Sequence, residues 1–168
     1  MLDATASLVT EHGLLAVTMS AVAETAGVGR ATLYKYFPDV EAILVAWHER
    51  QVVEHLRQLT AIGDRSGSAG DRLEAVLQAY ALIEHEHHSS DLVRVVHSRE
   101  HVARAHDQLQ EFVTDLVARA AVAGEVRVDV SPAELATYCI HAVTAAGSLP
   151  SKAAVRRLVG VVLDGVHR

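Results

Sequence analysis

The sequence predicts an all-α protein in two parts, a group of three short helices over residues 1–46 and a larger helical domain over residues 47–168. Three observations carry this. Apolar residues recur at helical rather than alternating spacing in every long segment. Half the residues are apolar but only 4% are aromatic, so the apolar content is Ala, Val and Leu, the composition of packed helices. Three prolines interrupt the 168 residues, and glycines stand where the periodic segments end.

Residues 2–12 form the first helix, with Leu2, Ala6, Leu8 and Val9 expected inward and Gly13 closing it. The stretch from Thr18 to Phe37 is the part around which the chain is organised. Met19, Val22, Ala23 and Ala26 make one apolar stripe, and Thr18 is placed to cap its first turn, because a hydroxyl can accept from an orphan amide. Gly27 stands where the chain must reverse, a position that favours positive φ. A second short helix follows and Pro38 stops it, with Leu33 and Phe37 inward and Arg30, Thr32 and Lys35 directed elsewhere, as Tyr34 and Tyr36 can be. Helix, glycine turn and second helix are the parts of a helix-turn-helix DNA reader. The cations and hydroxyls of the second helix suit phosphate oxygens and base edges. Spacing alone admits an ordinary helical hairpin with a polar outer face as well.

Asp39 can cap a long helix running to about Ile62, with Ile43, Leu44, Trp47, Leu56 and Leu59 as buried candidates. Gly63 to Gly70 reads as a flexible loop. A helix from about Asp71 to His88 presents Leu73, Val76, Leu77, Tyr80 and Ile83. Residues 99–123 form another, with a broad face including Leu109, Phe112, Val113, Leu116 and Val117, and Gly124 ends it. After the extended stretch Val126–Val130, Ser131, Pro132 and Glu134 supply an N-cap, a first-position proline and the acid of a capping box. That helix runs to about Ala146, and a last one from about Ser151 carries Val155, Leu158, Val159, Val162, Leu163 and Val166. Both closing helices have wide apolar faces and small residues, Ala142, Ala145, Ala146 and Gly160, which suits packing against a second copy.

The formal net charge is −6, which excludes a broadly basic nucleic-acid coat. Within residues 1–50, three cations stand against six carboxylates, a net of −3. A single cysteine, Cys139, excludes an intrachain disulfide and suits a reducing, cytoplasmic setting. No apolar run reaches the length of a membrane span, and no basic-then-apolar leader opens the chain. Histidines gather at 85, 87, 88, 97, 101 and 106, and His97 and His101 share one helical face. Glu100 precedes the second of these instead of following the first, so the HExxH pattern of metalloproteases is not met. The sequence offers no nucleophile–base pair and no phosphate-binding glycine loop, and no enzyme, metal site or cofactor is expected.

The run from Val17 to Leu44, with Ala26-Gly27-Val28, Thr32-Leu33-Tyr34, Tyr36-Phe37-Pro38 and Glu41-Ala42-Ile43-Leu44, resembles the DNA-binding domain of TetR-type transcriptional regulators. A weaker echo, in Gly124 to Arg127 and Ser131 to Ala136, resembles the loop and helix that open the dimerisation region of that family. The resemblance implies a ligand-responsive regulator, most simply a repressor. It would bind operator DNA as a homodimer through the last two helices, about 132–146 and 151–167, and be released by a small-molecule effector. Thr18, Arg30, Ala31, Thr32, Tyr34, Lys35 and Tyr36 would meet DNA, and Tyr80, His97, His101 and Phe112 become pocket candidates. Two features depart from the family pattern. Val40 occupies the place of a phosphate-contacting lysine, and the basic segment that commonly precedes the first helix in that family is expected to be absent or to lie outside this sequence. With the acidic N-terminal part and the histidine cluster, they support an alternative, a helical metal or small-molecule binding protein that no longer serves DNA.

Overall fold

A computed structural model describes residues 1–87 and 99–167, without the side chains of residues 87 and 99–102. Among the described residues the elements are α1 (Leu2–His12), α2 (Met19–Thr25), α3 (Arg30–Tyr36), α4 (Val40–Gly63), α5 (Ala69–His87), α6 (Arg99–Val122), α7 (Pro132–Thr144) and α8 (Lys152–Val166). Short 3₁₀ turns follow α1 and α7, at Leu14–Ala16 and Ala145–Ser148. The only extended pairing among them is an isolated antiparallel bridge between Val126 and His167. The architecture is all-α. No helix among the described residues is long and apolar enough to cross a membrane.

Contacts divide the chain within α4, one compact unit being built on Met1–Val53 and the other on the chain from Glu54 through α5 and again from Ala103. In the first unit Val17, Met19, Val22, Ala23, Leu33, Ile43 and Leu44 form the core. The inner face of α1 includes the expected Leu2, Leu8 and Val9, which pack against this core. Ala4 and Thr5 are its buried residues, while Leu2, Ala6, Leu8 and Val9 are only half-buried. Small side chains let the helix lie close, and the Thr5 hydroxyl is satisfied by donating to the Met1 carbonyl at 3.2 Å.

In the second unit α5 is central and packs against both α7 and α8. Leu73, Val76, Leu77 and Ala81 from α5 meet Leu109, Val113, Leu116 and Val117 from α6, with Ile140, Val143, Val155 and Val162 completing the core. The loop expected over 63–70 is shorter than its composition suggests. Gly63 is buried as the last residue of α4, because the Phe112 ring lies where its Cβ would be, 2.6 Å from Cζ. Gly70 belongs to the first turn of α5, and its amide donates to the Glu125 carboxylate. Ser68 and Asp71 cap the same turn reciprocally, each side chain accepting from the other's amide at 3.1 Å. The capping box of Ser131 and Glu134 is formed as expected.

Candidate nucleic-acid interface

Local chemistry holds α2 and α3 at a fixed angle. The Thr18 hydroxyl accepts from the Ala21 amide at 3.1 Å and starts α2. At its other end the Gly27 amide donates to the Glu24 carbonyl at 3.1 Å and the Val28 amide to the Ala23 carbonyl at 3.0 Å, with Gly27 at φ 65°. This pair of bonds is the Schellman termination, and it needs the left-handed residue that glycine supplies without strain. Leu33, with no exposed surface, then pins α3 to the core.

Everything else on α3 points out. Arg30, Ala31, Thr32, Tyr34, Lys35 and Tyr36 are all exposed, Tyr36 by 69%. Phe37 is half-buried at the core's edge. Thr18 is exposed at the start of α2, where its oxygen is already committed to capping. The charge pattern sharpens this surface. Arg50 is paired with Asp3 at 2.7 Å. Arg30 and Lys35, the other two cations of residues 1–50, have no carboxylate partner among the described residues. The carboxylates are thus spread over α1, α2 and α4, with Asp39 at the start of α4, and both of these cations stand on the one exposed short helix. Val40 is half-buried against the core and offers nothing to a phosphate.

The effector candidates lie apart from this surface along the sequence. Tyr80 is half-buried on α5, and burial together with the neighbouring Glu84 carboxylate, to which its hydroxyl bonds, pushes its pKa well up, so the phenol stays neutral. Phe112 is half-buried over Gly63 and is in reach of Val76. His97 and the side chain of His101 lie outside the described residues. Gln78 was not singled out by the sequence, yet its Nε2 is buried with no hydrogen-bond partner among the described residues, as is Nε1 of the buried Trp47. A glutamine within an apolar helix is the only sequence signal for such a donor. Among the described residues no three His, Cys, Asp or Glu side chains converge as a metal site would require.

Residues 1–47 match the family model described as bacterial regulatory proteins, tetR family. Residues 39–168 match the model described as transcriptional regulator SbtR-like, C-terminal domain. An uncharacterised HTH-type transcriptional regulator of Mycobacterium tuberculosis is 31% identical over 98 residues, 58% of this chain and 49% of that relative. The chain therefore spans about half the length of the curated relatives it matches. Among solved structures, a TetR/AcrR-family regulator from Thermobifida fusca superposes with a TM-score of 0.82 at 21% identity, covering 99% of this chain and 96% of that one. The FadR regulator of Bacillus subtilis, solved in complex with stearoyl-CoA, gives 0.70 at 15% identity, with 99% and 97% covered.

Proposed function

The chain belongs to the TetR family of bacterial transcriptional regulators, and from that premise we propose that it is a homodimeric repressor released from a near-palindromic operator by a small-molecule effector. The observation that carries the DNA-reading part is α3 itself, anchored by one fully buried leucine and bearing two cations that have no carboxylate partner among the described residues. Arg30, Ala31 and Lys35 are the readers of base edges in this proposal, while Thr18, Thr32, Tyr34, Lys35 and Tyr36 set the register on the backbone. A two-fold dimer doubles these few contacts and places two copies of α3 roughly 34–36 Å apart in successive major grooves.

Dimerisation is assigned to the outward faces of α7 and α8. Tyr138, Ala145, Gly160 and Val161 are exposed there, and Ala142 is half-buried. Ala146, read from the sequence as part of that surface, is fully buried in its own unit and is not available to a partner. The effector is assigned to the second unit, where Gln78 holds an unsatisfied buried donor and Tyr80 and Phe112 line the core's edge. The fold neighbour FadR of Bacillus subtilis was solved in complex with stearoyl-CoA, which supports the reading of this chain as ligand-responsive. By linkage, whatever factor the effector takes from DNA affinity, DNA takes from effector affinity. A cytoplasmic location follows from this role.

Selection of bound sequences from a random duplex pool tests the proposal. Enrichment of a near-palindrome with half-sites one helical turn apart is the expected result. No enrichment at any salt concentration would overturn it and favour the reading as a ligand-binding protein that no longer serves DNA, to which the acidic first unit and Val40 already point.

A further inference from the structure

Away from α3, two imidazoles come together across α6 and α7. His106 on α6 and His141 on α7 are both exposed, with ring centres 5.8 Å apart and ring planes tilted by 40°. The helices that carry them are clasped one turn away by groups other than the rings. Gln110, four residues after His106, donates from Nε2 to the Thr137 hydroxyl and to the Ala133 carbonyl, each at 3.1 Å. Thr137 lies four residues before His141, so the two pairs set α6 and α7 antiparallel in one register. The imidazoles face each other because that seam is fixed, with no bond of their own needed to hold them.

Neutral imidazole is the commonest side-chain ligand for borderline transition metals. With metal–nitrogen bonds of ~2.0–2.1 Å, each ring centre sits roughly 3.2 Å from the ion, so two rings on one tetrahedral ion have centres about 5 Å apart. The observed 5.8 Å is within a small side-chain rotation of that value. A stacked pair in contact would leave no room between the rings, and these are tilted and apart. We propose that His106 and His141 form a surface site for one divalent transition cation of the zinc, nickel or copper class, bridging α6 and α7. No third His, Cys, Asp or Glu side chain joins them among the described residues, so water completes the coordination sphere. Because the ligands come from two helices, the cation ties α6 to α7 beside the Gln110 clasp and stabilises the folded state by an amount that grows with the logarithm of free cation above its Kd.

Calorimetric titration of nickel(II) or zinc(II) into the metal-free full chain tests this. It is run on the parent, on His106→Ala, on His141→Ala and on the His97→Ala/His101→Ala double variant. One ion per chain is expected in the parent and in the double variant, with that event lost in each of the two single variants. Thermal unfolding followed alongside should show a metal-dependent rise in midpoint that disappears with the same two substitutions. Both side chains are exposed, and far-ultraviolet circular dichroism without metal checks that the variants fold. Absence of uptake by the parent would overturn the proposal. So would uptake unchanged in either single variant, loss of the event in the His97→Ala/His101→Ala variant, or a stoichiometry of one ion per two chains.

Discussion

Lys35 is one of two cations within residues 1–50 that have no carboxylate partner among the described residues, and it stands on the exposed side of α3. Replacing it with alanine should weaken operator binding and reduce the salt slope by about 1 if it meets a phosphate. If it meets a base instead, the loss is about 1–3 kcal/mol and specific to one operator position. Salt-dependent titration on the selected sequence separates the two, and Tyr36→Ala should weaken binding likewise. Unchanged affinity in both variants would remove α3 from the interface. Cys139 gives a prediction of the opposite kind. It is fully buried, and burial raises its thiol pKa to about 11, so almost no thiolate exists near neutral pH. A thiol reagent should label the native protein far more slowly than the unfolded chain, and comparable rates would contradict the packing of α7. The outward set on α3 was legible in the sequence because one leucine at helical spacing fixes which residues cannot face in. The orphan donor of Gln78 was not, since its isolation depends on neighbours brought from elsewhere in the chain.

Between elements, the joints were legible where a single residue type performs them and obscure where two distant residues must meet. Thr18, Gly27, Asp39 and the pair Ser131 and Glu134 act on amides or carbonyls within a few positions, and each sits where the sequence put it. Glycine-rich composition between α4 and α5 misled because both end glycines have structural roles. Gly63 makes room for Phe112, and Gly70 offers its amide to Glu125, 55 positions away. Gly63→Ala therefore sets two effects against each other. Alanine is favoured over glycine in a helix by up to about 1 kcal/mol, but its Cβ would lie 2.6 Å from Cζ of Phe112, and overpacking of this kind costs typically ~1–3 kcal/mol. The balance should be a loss of roughly 1 kcal/mol in urea unfolding, by the same magnitudes. Adding Phe112→Leu should cost less in the Gly63→Ala background than in the parent, because the two sites share one contact. Simple additivity would mean that the ring moves aside freely.

For the molecule as a whole, the acidic balance is the physical reason for proposing that two copies must act together. A net −3 over residues 1–50 gives a single unit little nonspecific attraction for phosphate, so affinity has to come from pairing two precisely spaced sets of contacts. Val161 is 65% exposed on the outward side of α8, next to Gly160, whose position has open space around it. Val161→Arg places a charge that would be desolvated if this face meets its own copy, and it leaves the core of the second unit untouched. The expected outcome is a monomer by sedimentation equilibrium with native helical content. Operator affinity should fall by about 10²–10⁴-fold, the gain that joining two binding modules ordinarily supplies. Lys35→Ala should do the reverse, lowering operator affinity while the dimer persists. The two variants together separate reading from pairing. A Val161→Arg protein that stays dimeric would place the interface elsewhere, and one that is monomeric yet binds the full operator undiminished would show that affinity does not depend on the second copy.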